Sequence, residues 1–222
     1  MGRREYERIA PLFAYPDASF AERVGVVQRF LDDEYPAAGV RLRAFTNTVS
    51  NMSRRELEEL YTRSFDVQSL TTLDIGYVLF GDDYKRGELL AHLTREHAKA
   101  GVDCGSELAD HLPKLLCLLA RMEDDDLAVE LLREILYPSL VNMLAEFDPA
   151  RVARKNELYE KHYKTLIDAP GCATIYRLAL AALADVIETD FPVVTESTPV
   201  LGANDFIQIL DTELTVESVT SP

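Results

Sequence analysis

Long apolar runs, strand-rich stretches and paired cysteines are all missing from this chain of 222 residues. No apolar segment approaches the ~18 residues that a membrane span needs, so we expect no membrane insertion. No apolar segment follows Met1 to Arg4, so this start does not have the form of an export signal. Three cysteines without paired spacing argue against a disulfide framework and fit a reducing compartment. The sequence therefore predicts a cytoplasmic protein.

Positive charge is scarce, because 23 lysines and arginines face 38 aspartates and glutamates, for a formal net charge of −15. A protein this negative repels nucleic-acid phosphate, so we expect no nucleic-acid partner. The charge favours a basic partner, and it also serves solubility alone. The chain is 47% hydrophobic and long enough for one core.

Catalytic motifs are absent as well. The chain has no glycine-rich phosphate loop and no Gly-x-Ser-x-Gly turn. Cys117 lies in a leucine run, where we expect an inert core residue. Cys104 lies in a glycine-containing loop, with His97 and His111 not far away in sequence, and is the one candidate for a reactive thiol. No third group that would orient it is evident, so the sequence predicts a protein that is not an enzyme.

Metal ligands are not grouped in the sequence either. The four histidines are His92, His97, His111 and His162. None of them follows a glutamate by three residues, so the Glu-x-x-His pairs of di-iron bundles are missing. We therefore expect surface histidines, no metal site and no cofactor.

Apolar residues recur at helical spacing through most of the chain, and polar residues mark where the helices begin and end. The predicted caps are Ser19, Ser53, Asp110 and Asp148 at helix starts and Gly101 at a helix end. The two serines are each followed three residues later by glutamate, the form of a capping box. Asp148 directly precedes a proline, and Asp110 precedes Pro113 in the first turn of its helix.

These patterns predict an all-α fold, a single-domain irregular helical bundle over residues 1–191. The helix through Leu115–Leu119 is apolar over most of its circumference, so we expect it at the centre. Pro138 is expected to kink or split the segment 127–147. In the helix after Asp148 the predicted inward residues are Val152, Tyr159, Tyr163 and Leu166. Residues 192–222 are rich in Val, Thr, Ser, Pro and acidic residues, which predicts an irregular or disordered tail.

Three short stretches carry a family resemblance by their order and spacing. They are LFAYPD at 12–17, YTRSFD at 61–66 with LFGDD at 79–83 and Arg86-Gly87, and ELADHLP at 107–113. Together they resemble the NarJ or nitrate reductase delta subunit family, the assembly chaperones of respiratory molybdoenzymes in the TorD-like superfamily. The resemblance covers roughly residues 5–145. The chain departs from the family pattern at Ala109, usually proline, and at Asp74, where an apolar residue is more usual.

The resemblance implies an all-helical chaperone that catalyses no reaction itself. Such proteins bind the N-terminal segment of a molybdoenzyme catalytic subunit, often a remnant of a twin-arginine leader. They hold the subunit competent for insertion of the molybdenum bis-guanine-dinucleotide cofactor and leave before or at membrane docking. The resemblance implies nitrate reductase as the default client, with related oxidoreductases as alternatives, and it leaves both a monomer and a dimer open.

The binding surface is expected where carboxylates, among them Asp74 and Glu107, alternate with aromatic and aliphatic side chains. An apolar groove edged by carboxylates complements a short segment that carries arginines. The predicted peptide-binding residues are Tyr61, Phe65, Asp66, Tyr77, Phe80, Asp82, Asp83, Arg86, Asp110, His111, Leu112 and Pro113. Alternatively, several of these aspartates only cap helices and turns.

Two other functions remain open at this point. The chain can be a stable, non-catalytic structural subunit of an oxidoreductase complex that docks through the apolar patch 206–210. It can also be a small thiol- or metal-dependent enzyme centred on Cys104 and His111.

Overall fold

The structure is a computed structural model that describes residues 4–163 and 173–192. Within these residues one helix follows another along the chain. The elements are α1 Glu5–Ile9 with the 3₁₀ turn Ala10–Phe13, α2 Phe20–Glu34, α3 Pro36–Val49, α4 Arg54–Phe65, α5 Ile75–Phe80, α6 Tyr84–Ala100, α7 Leu112–Arg121, α8 Asp125–Leu131 with the π-helical turn Leu132–Leu136, α9 Tyr137–Glu146, α10 Pro149–His162 and α11 Tyr176–Asp190. The described residues contain no strand, only one isolated antiparallel pairing between Asp74 and His111. The predicted all-α helical bundle is confirmed. The predicted tail lies almost entirely outside the described residues.

Helices α7 and α11 both contribute many fully buried side chains to the core. Leu115, Leu116, Leu118 and Leu119 of α7 are all fully buried, as their sequence pattern predicted. Helix α11 packs against α3 and α9, while α1 and the following 3₁₀ turn cover α7. Each fully buried leucine contributes about 1.5–3 kcal/mol by leaving water, so these two helices supply a large share of the stability.

Helix ends confirm most of the predicted caps. The Ser53 hydroxyl accepts the Glu56 N–H at 3.3 Å, and the Glu56 carboxylate accepts the Ser53 N–H at 2.7 Å, which completes a capping box. Gly101 ends α6 in the left-handed conformation, with φ of 63°. Asp148 accepts the Ala150 N–H at 2.9 Å at the start of α10.

The prediction for Ser19 is wrong. Both its N–H and its hydroxyl donate to Asp17, at 2.8 Å each, so the hydroxyl does not cap α2. The nearby aspartate is a stronger acceptor than a hydroxyl, and Ser19 therefore serves the preceding turn instead of the helix.

Pro138 accompanies a change of helical winding in the segment 127–147, where a kink or a split was predicted; α8, the π-helical turn and α9 follow one another without a break. The backbone forms the π-helical turn Leu132–Leu136 immediately before α9, and Pro138 occupies the first turn of α9. Proline has no N–H to donate and its ring crowds the carbonyl four residues earlier, so the chain widens its winding at this point.

The inward face of α10 differs from the prediction. Tyr159 is buried as expected, but Tyr163 is exposed, and Leu166 lies outside the described residues. Lys155, one turn before Tyr159, is fully buried instead. In the described part of the chain, no helix has both the length and the apolar character needed to cross a bilayer.

Candidate functional site

The pairing of Asp74 with His111 joins the stretch 107–113 to the segment between 61–66 and 79–83. The Leu112 N–H donates to the Leu73 carbonyl at 2.8 Å, and the Ile75 N–H donates to the Asp110 carbonyl at 3.1 Å. These two bonds join the segment before α5 to the segment before α7. Because side chains alternate along an extended backbone, Asp110 and Leu112 point into the core while His111 points the other way.

A cleft of about 470 Å³ opens beside this pairing. Its lining residues are Tyr15, Tyr61, Phe65, Asp66, Thr72, Leu73, Asp74, Glu107 and His111. Four of the predicted peptide-binding residues are among them, namely Tyr61, Phe65, Asp66 and His111. Asp74 and Glu107, which the sequence placed at the groove, also line it.

The floor of the cleft is aromatic and continues into the core. The ring of Tyr15 lies edge-on to Tyr61 with 5.2 Å between the ring centroids, and Tyr61 lies 5.4 Å from Phe65 in the same manner. Phe65 in turn contacts the buried Tyr176 at 4.7 Å. Tyr61 and Phe65 share one face of α4 because they are four residues apart. Edge-to-face stacking onto the core fixes these rings, so the floor is preorganised.

The carboxylates of the cleft create a negative field that reaches its floor. Burial raises the pKa of Tyr61 far above its ordinary value, and the negative charges of Glu107, Asp66 and Asp74 raise it further. The Tyr61 hydroxyl therefore stays protonated at any physiological pH, and it donates to the Phe13 carbonyl at 3.4 Å. A cation entering the cleft would meet the same three carboxylates.

Arg86 joins the cleft wall to the core. Its guanidinium lies 3.0 Å from Asp110 and 3.0 Å from Asp74, and above the ring of Tyr77 at 5.1 Å. The second Asp74 oxygen lies 3.3 Å from His111 Nδ1. Burial opposes ionisation of Asp74, but the contacts with His111 and Arg86 prevail and hold its pKa below the ordinary value. Asp74 is thus an ionised carboxylate that internal partners already hold.

The predicted capping role of Asp110 is wrong. His111 precedes the first residue of α7, and the Asp110 side chain is fully buried against Arg86. Burial raises the pKa of Asp110, although the hydrogen bond from Arg86 lowers it in part. The Asp110 carboxylate therefore pairs with Arg86, which is distant in sequence, and not with the nearby N–H groups at the start of α7. A charged hydrogen bond in the interior is stronger than a helix cap.

Gly76, at the start of α5, makes this arrangement possible. A Cβ atom at this position would lie 2.7 Å from Asp110 Oδ2 and 3.0 Å from Leu89 Cδ2. Only glycine lets α5 approach the buried carboxylate this closely.

The remaining predicted peptide-binding residues do not line this cleft. Leu112 is fully buried in the core, and Tyr77, Phe80 and Pro113 are half-buried. Asp82 and Asp83 are exposed, and Asp83 caps α6 by accepting the Lys85 N–H at 2.9 Å. For Asp83 the structure thus shows the alternative role that the sequence left open.

The candidates for thiol and metal chemistry lie outside the cleft, except His111. The prediction of a surface histidine is wrong for His97, which is buried and donates from Nε2 to the Ala109 carbonyl at 2.9 Å. Burial raises the pKa values of Cys104 and Cys117, so both free thiols are poor nucleophiles at neutral pH. Among residues 4–163 and 173–192, no group of three or more His, Cys, Asp or Glu side chains is placed to hold a metal ion.

The sequence analysis missed two groups of residues that shape the site. Tyr15 belongs to the stretch 12–17 but was not assigned to the binding surface. Lys155 was missed because charged residues are seldom buried; it donates to the Leu70 carbonyl and lies 2.7 Å from Glu146. Tyr159 donates to the Ser69 carbonyl at 3.0 Å. Helix α10 therefore fixes the loop that leads from Asp66 to Asp74.

Comparison with known proteins adds nothing to this site, because no family model and no curated protein matches the chain.

Proposed function

We propose that this chain is a non-enzymatic, system-specific chaperone of a molybdoenzyme. It binds the N-terminal segment of the catalytic subunit and keeps that subunit competent for cofactor insertion and membrane docking. The client is nitrate reductase or a related oxidoreductase. One observation carries the proposal: the cleft takes residues from the three stretches on which the family resemblance rests. They are Tyr15 from 12–17, Tyr61, Phe65 and Asp66 from 61–66, and Glu107 and His111 from 107–113.

The physics of the cleft suits a segment that is held and then released. An aromatic floor supplies apolar contact, and the carboxylates above it favour a basic segment. The net charge of −15 attracts such a segment from a distance and speeds the encounter. A flexible segment loses conformational entropy when it binds, and this cost keeps the complex releasable.

Co-expression with a molybdoenzyme tests the proposal directly. The affinity-tagged chain should retain the apo catalytic subunit, and deletion of that subunit's N-terminal segment should abolish retention. The double variant Asp66→Arg with Glu107→Arg should also lose the subunit, because two cleft carboxylates become cations. The matched control is Glu88→Arg with Glu130→Arg, which changes the net charge equally at exposed residues away from the cleft.

The molybdenum content of the client provides the second measurement. Enzyme made with the cleft variant should contain less molybdenum than enzyme made with the control variant. Equal retention and equal metal content with both variants would refute the role of the cleft. A stable structural subunit would instead remain in the mature enzyme at one copy per catalytic subunit, whereas a chaperone should be absent from it.

A further inference from the structure

The carboxylates of the cleft are not equivalent. Both oxygens of Asp74 have partners, since one lies 3.0 Å from Arg86 and the other 3.3 Å from His111. Asp66 is exposed and its carboxylate forms no ion pair with any residue between 4 and 163 or between 173 and 192. Glu107 is also exposed, and one of its oxygens lies 3.7 Å from Nδ1 of His111, which is too far for a hydrogen bond. Two carboxylates, Asp66 and Glu107, therefore remain for an incoming cation.

Arg86 shows how this protein already holds a guanidinium. Two carboxylates contact different nitrogens of Arg86, and the aromatic ring of Tyr77 lies beneath it. A planar guanidinium suits this combination, because it donates to two acceptors in its plane while its face lies on a ring. The cleft presents the same three components at its surface: Asp66, Glu107 and the exposed ring of Tyr15.

An exposed aliphatic side chain follows each of these two cleft carboxylates in sequence. Val67 follows Asp66 in sequence and is 49% exposed, and Leu108 follows Glu107 and is 47% exposed. Exposed aliphatic side chains beside a charged cleft favour a ligand whose own aliphatic groups cover them. In an extended segment, residues two positions before and after a cation lie on the same face as the cation.

We propose that the cleft binds one arginine side chain of the client segment, with aliphatic residues on both sides of it. Asp66 and Glu107 pair with the guanidinium, Tyr15 supplies the ring on which it stacks, and Val67 and Leu108 contact the flanking aliphatic residues. Asp74 makes no direct contact, because Arg86 and His111 already hold it. This inference rests on the proposed function only in taking the occupant to be the client's N-terminal segment.

The test uses short probe peptides and the full chain. The first probe is acetyl-Leu-Ala-Arg-Ala-Leu-amide, and two others replace arginine with lysine or with citrulline, which has the same shape without charge. Chemical-shift titration at millimolar peptide gives the dissociation constants. We expect the arginine probe to bind about fivefold more tightly than the citrulline probe, as one ion-paired site predicts. The lysine probe should be intermediate, because a compact ammonium stacks and bridges less well.

Protein variants assign the contacts. Asp66→Asn, Glu107→Gln and Tyr15→Leu should each bring the affinity for the arginine probe close to that for the citrulline probe, while Glu130→Gln should not change it. The inference is overturned if the arginine and citrulline probes bind alike, if no probe binds, or if the cleft variants behave like Glu130→Gln. These outcomes are distinct from failure of the chaperone role, which is read from retention of the catalytic subunit and its molybdenum content.

Discussion

Replacing Gly76 with alanine tests how tightly the cleft wall is joined to the core. In an ordinary helix this change is stabilising by about 0.8–1 kcal/mol, since alanine has the higher helix propensity. Here the new methyl group would lie 2.7 Å from Asp110 Oδ2 and 3.0 Å from Leu89 Cδ2. The structure therefore predicts the opposite sign from the propensity.

The size of the effect follows from two contributions. Overpacking a filled interior costs about 1–3 kcal/mol. Displacing Asp110 also weakens its buried hydrogen bond with Arg86, and a buried charged group that loses its partner costs about 1–3 kcal/mol more. After subtracting the gain in helix propensity, we expect a net destabilisation of roughly 1–5 kcal/mol.

Urea unfolding followed by circular dichroism measures the difference in the free energy of unfolding between Gly76→Ala and the wild type. The matched control is Gly87→Ala in α6, because a Cβ atom at Gly87 meets no atom within 4 Å. This control should be stabilised by up to about 1 kcal/mol. If Gly76→Ala is stabilised to the same extent, the close approach of α5 to Asp110 is not real and the account of the cleft wall fails.

Two further predictions concern Lys155 and the two serines. Lys155→Met leaves one oxygen of Glu146 without its buried cation, while Arg151 still pairs with the other oxygen at 2.5 Å, so we expect a loss of about 1–3 kcal/mol at pH 7. Burial lowers the pKa of Lys155 to about 8, so the folded protein binds fewer protons than the unfolded chain between that value and 10.5. The stability of the wild type relative to Lys155→Met should therefore increase from pH 7 to pH 9, and a decrease would contradict the assignment. Ser53→Ala should cost about 1 kcal/mol because it removes a capping box, whereas Ser19→Ala should cost clearly less; equal losses in thermal unfolding would contradict this difference.

The sequence predicted those elements whose signals are local. Helix periodicity identified the four leucines of α7 that the core buries, and Ser53, Gly101 and Asp148 were recognised as caps because a cap acts within one turn. The cap predicted at Ser19 does not form, and the cause is also local. Asp17, two residues earlier, accepts hydrogen bonds from both the N–H and the hydroxyl of Ser19. A local sequence pattern therefore identifies residues that could cap a helix, but it does not predict which hydrogen-bond partner each side chain takes.

Asp110 illustrates what local patterns do not contain. Its position before Leu112 and Pro113 fits an N-cap, but its partner Arg86 lies 24 residues earlier in the chain. Whether the side chain turns toward the helix or toward Arg86 depends on the pairing of Asp74 with His111, which only the tertiary structure establishes. Buried Lys155 was missed for the same reason, because its partner Glu146 is contributed by another helix.

The carboxylates near the cleft have different roles because of the buried contact between Asp110 and Arg86. Asp110 fixes Arg86, Arg86 neutralises the nearer oxygen of Asp74, and His111 occupies the other oxygen. The stretches 61–66 and 107–113 consequently contain carboxylates of two kinds. Asp110 is buried and shapes the cleft wall. Asp66 and Glu107 are exposed, and their carboxylates can pair with a cationic ligand. Loss of Asp110 should thus impair binding only through the fold, whereas loss of Asp66 should impair binding in a protein that folds normally.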